Sequence, residues 1–198
     1  MLGRLDRPRE TAAALVGLAA AGAVAALPGS AGPAALGLVA VATGAVVAWI
    51  AWQDAIDLTI PDGAVIALAA LGAGLRLADG SAAGEPLAGT LGTLALDAVL
   101  SGGGLLALRE YYFRRHGQDG IGFGDVKLAA AGGLLVGTIA FAWALLTASL
   151  AGIALVLARK GRAPLSGSEK LAFGAVLAPA IWITWAVEQT PRLGPLLR

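Results

Sequence analysis

The nine residues Gly120-Ile-Gly-Phe-Gly-Asp-Val-Lys-Leu128 place three glycines, one carboxylate and one ammonium group at the start of an apolar segment. Elsewhere the apolar segments contain very few charges. A charged side chain in a membrane segment is costly and usually marks a functional site. Asp125 is therefore the first candidate functional residue, and the question is whether the remaining sequence supplies it with a chemical partner.

The composition is typical of a membrane protein. Of the 198 residues, 58% are hydrophobic and 14% are charged, whereas about a quarter of the residues of a soluble domain are charged. The chain has no cysteine, which excludes disulfides and thiolate metal sites. Its few basic residues are confined to the connections between apolar segments, so nucleic-acid binding is not expected.

Seven apolar segments predict an all-α, polytopic transmembrane bundle. The bundle is expected to form one integral-membrane domain over residues 1–198. The number of spans lies between six and eight, and six is the alternative to seven. The first segment is interpreted as an uncleaved span, with a signal peptide as the alternative. The third and fifth are short for a bilayer. The segments cover 11–27, 33–53, 63–78, 86–108, 125–138, 139–158 and 171–188.

The basic residues predict a cytoplasmic N-terminus, because cytoplasmic segments of membrane proteins are enriched in Lys and Arg. In that orientation Asp54 and Asp125 both lie on the cytoplasmic side. Three of the fourteen basic residues then lie outside, namely Arg76, Arg192 and Arg198. The other eleven lie inside: Arg4, Arg7, Arg9, Arg109, Arg114, Arg115, Lys127, Arg159, Lys160, Arg162 and Lys170.

A second acidic stretch, Trp52-Gln-Asp-Ala-Ile-Asp-Leu-Thr-Ile-Pro-Asp62, follows the second apolar segment. Asp54 and Asp57 would share a helix face, and Pro61 prevents a regular helix from continuing. Asp62 is interpreted as the N-cap of the next helix, with a role in the site as the alternative. Asp57 is either a solvated acid or a supporting polar contact.

The glycine block has two interpretations. Gly120, Gly122 and Gly124 can adopt positive φ and admit close approach of another backbone, such as an extended peptide substrate; a flexible loop leading into a tightly packed helix is the alternative. Lys127 is interpreted as an interfacial cation whose stem lies along apolar surface, with an electrostatic effect on the carboxylates as the alternative.

Asp54 and Asp125 would form a reactive pair if their helices brought them together. Two carboxylates in a low-dielectric cleft tend to share one proton, which leaves one as general base and the other as general acid. An aspartic protease uses this chemistry to activate water and to protonate the leaving amine. It requires neither a metal nor another cofactor.

Together these motifs resemble the type IV prepilin peptidase family, a group of GxGD-type intramembrane aspartic proteases. The family pattern has an Asp, a Pro-Asp ending eight residues later, and a Gly-x-Gly-x-Gly-Asp-x-Lys-Leu block. Asp54, Pro61-Asp62 and 120–128 match it. The resemblance runs from Val46 to Ile183 and also includes Gly102-Gly-Gly104 and Phe173-Gly174.

The resemblance implies that Asp54 and Asp125 are catalytic. The implied substrates are type IV prepilins or pseudopilins, whose short basic leaders are cut after a Gly at the cytoplasmic face, just before an apolar helix. The implied location is the bacterial inner membrane, with the lipid bilayer as the second partner.

Three features depart from the family pattern. Larger members have a segment with paired Cys-x-x-Cys motifs and also N-methylate the product. This chain has no cysteine and resembles the short members of tight-adherence or minimal pilus systems. N-methyltransferase activity is therefore not supported. Ala172-Phe-Gly-Ala175 replaces the usual Pro-Phe-Gly-Pro, which leaves the contacts of that element open. Asp97, within the fourth segment, is interpreted as a structural polar contact, with a role in the site or in water access as the alternative. Its suggested partners are Thr43, Thr147 or Ser149.

Two other functions are considered. A cation-coupled transporter or a metal-binding membrane protein could use Asp54, Asp57, Asp62 and Asp125 as oxygen ligands, but the paired broken helices of transporters are missing. A presenilin-like protease is the other, but Leu177-Ala-Pro179 does not form the Pro-Ala-Leu element of that group.

Overall fold

The computed structural model describes residues 33–117, 120–160 and 171–193, and every regular element in these ranges is a helix. Four of the helices, α1 to α4, are long and apolar enough to cross a membrane, and the described part of the chain is therefore a helical membrane bundle. The helices are α1 (Pro33–Asp57), α2 (Asp62–Ala82), α3 (Leu87–His116), α4 (Phe123–Lys160) and α5 (Gly174–Leu193).

Helix α4 consists of two helices that meet at Gly137, where φ is 79° and ψ is 164°. The chain folds back there, because a Cβ placed on Gly132 would lie 3.0 Å from the Phe141 ring, whereas nine residues of straight helix span about 13 Å. This break confirms the predicted boundary between the fifth and sixth apolar segments. The two parts are called α4a (123–136) and α4b (138–160).

Helix α2 is longer than predicted. The third apolar segment was predicted to end at residue 78, because the Asp79-Gly80-Ser81 sequence that follows is typical of a turn. The helix instead continues to Ala82 and closes with a hydrogen bond of 2.9 Å from the Ala83 N–H to the Asp79 carbonyl. A Cβ on Gly80 would lie 2.6 Å from Thr90 Oγ1, so tertiary packing against α3 holds the glycine in helix. At 21 residues, α2 is long enough to span a bilayer.

The helices pack closely through small residues. A Cβ on Gly72 of α2 would lie 2.7 Å from Leu135 Cα in α4a, and one on Gly102 of α3 would lie 2.8 Å from Ala130 Cβ. Close backbone approach through small residues is the usual way in which membrane helices associate. Helix α2 is the most enclosed of the four candidate spans, with 61% of its most apolar window buried. Helix α5 packs against both α1 and α4, and α4 also contacts α2 and α3, which brings the site-bearing helices together.

Some of the sequence-based predictions fall on residues outside the described ranges. The predicted helix over 11–27 is one of them, so the count of seven spans and the signal-peptide alternative are not tested. Arg4, Arg7 and Arg9 lie in the same region, and the cytoplasmic N-terminus stays a prediction. The assignment of residues 1–198 to one domain stays a prediction as well.

Candidate active site

Asp54 lies in the last turn of α1, with only 5% of its surface exposed. Its Oδ2 accepts a hydrogen bond of 2.8 Å from the Ala175 N–H, and the Gly174 N–H also donates to the carboxylate. These are the first residues of α5, and the first turn of a helix presents unpaired N–H groups and the positive end of the helix dipole. A side chain of α1 thus caps a helix that begins 120 residues later in the chain.

Gly174 makes this contact possible. A Cβ at this position would lie 2.6 Å from Ile60 Cδ1 and 3.0 Å from Asp54 Oδ2. A larger residue would force both side chains away from the α5 N-terminus. The contacts of the Phe173-Gly174 element, which the sequence left open, therefore include Asp54.

Asp125 lies in the first turn of α4a, with 8% of its surface exposed. The Gly122 N–H donates to its carboxylate, and a Cβ on Gly122 would lie 3.1 Å from Oδ2. This is one half of a capping box, in which an acid in the first turn bonds back to the residue at the N-cap. Its other oxygen, Oδ1, is buried and has no hydrogen-bond partner among the described residues.

The helix N-termini that hold the two aspartates converge on Ile60. The Ile60 side chain lies between two backbones, because a Cβ on Gly124 would be 3.1 Å from Ile60 Cβ and one on Gly174 would be 2.6 Å from Ile60 Cδ1. The N-termini of α4a and α5 therefore converge on one side chain. Asp54 is close enough for its charge to act on Asp125. The structure brings both sequence-predicted aspartates into one buried site.

The glycine block is held by the end of α3. A Cβ on Gly120 would lie 2.5 Å from Tyr112 Cδ1, and Arg109 Nε donates a 3.0 Å hydrogen bond to the Ile121 carbonyl. Neither Gly122 nor Gly124 has a positive φ, so the expectation of left-handed backbone at these two positions is wrong. Glycine is needed there because the chain's own side chains pack against it.

Asp62 and Lys127 form an ion pair between α2 and α4a. The interpretation of Asp62 as an N-cap is wrong: Pro61 occupies the N-cap position, no side chain caps the helix, and Asp62 is its first residue. Lys127 Nζ also lies 5.7 Å from the centre of the Phe123 ring, a cation–π distance. Lys127 thus has a specific partner, 65 residues away in the chain.

Asp57 is not part of the buried site. It is exposed and accepts a hydrogen bond from the Gln53 amide on its own helix. Because Asp57 and Asp62 bond elsewhere, the four-acid ligand set of the transporter and metal-binding alternative does not assemble. Within residues 33–117, 120–160 and 171–193, no group of three or more His, Cys, Asp or Glu side chains could hold a metal ion.

Asp97 caps α4b from α3. Its Oδ1 accepts hydrogen bonds from the Thr138 N–H (2.9 Å) and hydroxyl (2.7 Å), and its Oδ2 forms a 2.5 Å ion pair with Arg76. The prediction of a structural polar contact is confirmed, but the suggested partners are wrong. The suggested partners were Thr43, Thr147 and Ser149, and the hydroxyl of each donates instead to a backbone carbonyl of its own helix.

Comparison with known protein families matches residues 41–157 to the type IV leader peptidase family. The matched range contains Asp54, Pro61-Asp62 and Asp125, and it ends before the Phe173-Gly174 element. No curated protein and no solved structure matches the chain significantly.

Proposed function

We propose that this chain, which belongs to the type IV leader peptidase family, is an aspartic endopeptidase that removes the short basic leader of type IV prepilins or pseudopilins. The proposed cut falls after a Gly at the cytoplasmic face of the bacterial inner membrane. Asp54 and Asp125 are the proposed catalytic pair. Membership of a peptidase family supports a protein substrate, and the four apolar helices support action at a membrane.

One observation supports the catalytic pair above all others. Asp54 and Asp125 come from different helices, are both nearly fully buried, and are close enough for their charges to interact. Each carboxylate lies at the N-terminus of a helix, and one oxygen of the pair, Asp125 Oδ1, has no partner in the described part of the chain. Two buried carboxylates whose charges interact in this way are suited to share one proton.

The hydrogen bonds suggest a role for each aspartate. Asp54 receives N–H groups from the start of α5, which favour its ionised form, and it would act as the general base that takes a proton from the attacking water. Asp125 would carry the shared proton on Oδ1, because this oxygen accepts no hydrogen bond from any described residue.

Hydrolysis then proceeds through three proton transfers. The water oxygen bonds to the scissile carbonyl carbon while its proton passes to Asp54. Asp125 donates a hydrogen bond to the carbonyl oxygen, and its proton passes to the leaving nitrogen as the C–N bond breaks. The proton now on Asp54 returns to Asp125 and restores the pair.

Conservative substitutions test this proposal. We expect Asp54→Asn and Asp125→Asn each to abolish leader removal from a co-expressed prepilin, because neither amide can activate water or donate a carboxylic proton. Asp57→Asn is the matched control, since it makes the same change three residues from Asp54 at an exposed side chain. Cleavage would be measured by gel shift and by mass spectrometry of the new amino terminus, which also shows whether a methyl group is added. Retained cleavage in either site variant, with the protein inserted, refutes the assignment.

A further inference from the structure

A groove of about 1100 Å³ lies between α4b and α5. Each helix contributes a stripe of residues spaced three or four apart, which is the spacing of one helix face. The α4b stripe includes Trp143, Thr147 and Ala151, and the α5 stripe includes Val176, Ile183 and Val187.

The groove begins at the candidate active site. Ala175 lines it and also donates its N–H to Asp54. The opposite end is lined by Arg76, Asp97 and Glu188. From Ala175 to Glu188 the α5 helix rises about 20 Å, at 1.5 Å per residue. The groove thus runs from Ala175, next to Asp54, for most of the thickness of a hydrocarbon core, which is about 30 Å.

The lining fits an apolar helix. Most of it is apolar, its floor includes the buried Ala140 and Ala148, and its rims carry exposed Trp143 and Ile183, which are 63% and 55% exposed. Small floor residues permit close helix approach. A helix 20 Å long and about 10 Å wide occupies roughly 1500 Å³, so the groove would enclose most of one such helix and leave its other side to lipid.

We propose that this groove binds the apolar helix that follows the scissile bond of the substrate, and that this helix enters sideways from the bilayer between α4b and α5. The inference rests on the proposed function. Its occupant follows from continuity, because a helix seated in the groove has its first residues beside Ala175 and Asp54. About 13 apolar residues after the cut would then reach the polar end at Arg76 and Glu188, at 1.5 Å per residue.

The predicted helix over 11–27 is the main competing occupant. It lies outside the described residues, so its place is an outcome of the experiment below. Helix α1 packs on a different face of α5, where Trp182 Nε1 donates to the Ala40 carbonyl. The groove stripe through Ile183 lies about 100° or more around α5 from Trp182. Helix α1 and this stripe of the groove therefore occupy different faces of α5.

Cross-linking tests the occupant directly, because the chain has no cysteine of its own. Ala180→Cys would be introduced in the groove and Val99→Cys on the exposed face of α3 as the control, both in the Asp125→Asn background, so that the substrate stays intact. A prepilin with single cysteines along its apolar helix would be treated with a bifunctional maleimide. We expect Ala180→Cys to cross-link at least fivefold more than the control, with peaks three or four substrate residues apart.

Two results would overturn the proposal. One is equal cross-linking to Ala180→Cys and Val99→Cys. The other is efficient internal cross-linking in an Ala19→Cys/Ala180→Cys chain, which would show that this protein's own segment fills the groove.

A second measurement separates this inference from the proposed function. Ile183→Trp adds bulk at an exposed groove position, and Ala95→Trp does the same on the outer face of α3. We expect Ile183→Trp to slow the cleavage of full-length prepilin at least tenfold. The rate for a short soluble peptide that lacks the apolar helix should change by less than twofold. No change for either substrate, or equal loss for both in a folded variant, refutes groove binding. Failure of the unmodified protein to cut either substrate refutes the proposed peptidase instead.

Discussion

Gly174→Ala should separate the Asp54 carboxylate from the N-terminus of α5. The added Cβ would lie 2.6 Å from Ile60 Cδ1 and 3.0 Å from Asp54 Oδ2, whereas ordinary contacts begin near 3.4 Å. Relieving both contacts requires Ile60 Cδ1 to move by about 0.8 Å and the oxygen by about 0.4 Å. A displacement of the order of 1 Å in a catalytic site costs about 100-fold in rate. We therefore expect leader cleavage to fall ten- to a hundredfold, or about 1.4 to 2.7 kcal/mol of transition-state stabilisation.

Two other glycine substitutions serve as controls for this experiment. A Cβ on Gly92 or Gly104 of α3 would have no neighbour within 4 Å. Alanine also favours a helix over glycine by about 1 kcal/mol, so Gly92→Ala and Gly104→Ala should cleave within twofold of the unmodified protein. The assay is the initial rate of leader removal from prepilin by detergent-solubilised enzyme, with the folded fraction of each variant measured by thermal unfolding.

A compensating substitution tests the cause of the loss. Ile60→Val removes the Cδ1 atom that meets the new Cβ, while the contact with Asp54 remains. The double variant Gly174→Ala/Ile60→Val should therefore recover part of the lost rate, with a coupling of about 1 kcal/mol in a double-mutant cycle. The steric reasoning is wrong if Gly174→Ala cleaves within twofold of the unmodified protein, or if the effects of the two substitutions simply add.

Three further predictions concern stability, measured as the thermal midpoint in detergent. Gly72→Ala should destabilise the protein by about 1 to 3 kcal/mol through overpacking against the α4a backbone, and a midpoint equal to that of the α3 glycine controls would contradict it. Asp97→Asn should lower the free energy of unfolding by about 2 kcal/mol, because three donors bond to its carboxylate. Its control is Glu110→Gln, which removes a charge from an exposed ion pair and should cost less than about 0.5 kcal/mol. Equal losses in the two variants would contradict this prediction. The Asp62–Lys127 pair is partly exposed, so a cycle of Asp62→Asn and Lys127→Gln should give a coupling below about 1 kcal/mol, and a larger value would show a tighter pair.

Capping of a helix N-terminus is common to Asp54, Asp97 and Asp125. Asp54 of α1 caps α5, Asp97 of α3 caps α4b, and Asp125 bonds back to Gly122 at the start of its own helix. Free N–H groups at the start of a helix are costly where water is scarce. A carboxylate satisfies them and finds favourable electrostatics at the same time. Two of these three acids form the candidate catalytic pair.

Much of the local structure could be predicted from the sequence. Apolar segment length predicts the spanning helices, Pro61 separates α1 from α2 as its ring chemistry requires, and the boundary at Gly137 was predicted to within two residues. The error at Asp79-Gly80-Ser81 has a physical cause. Turn-forming residues express a local preference of about 1 kcal/mol, and close packing of Gly80 on Thr90 is enough to override it.

The amino-acid sequence is enough to predict a helical membrane protein and to select Asp54 and Asp125 as its strongest candidate catalytic residues, because segment length, hydropathy and motif spacing are local properties of the chain. Which groups these acids contact depends instead on the tertiary structure. The Ala175 N–H that bonds Asp54 is 121 residues away, and the Lys127 that pairs with Asp62 is 65 residues away. Such partners depend on where helices cross, and the crossings depend on close contacts of glycines that carry no local signal. Ile60, which no motif indicated, joins the two halves of the site for the same reason.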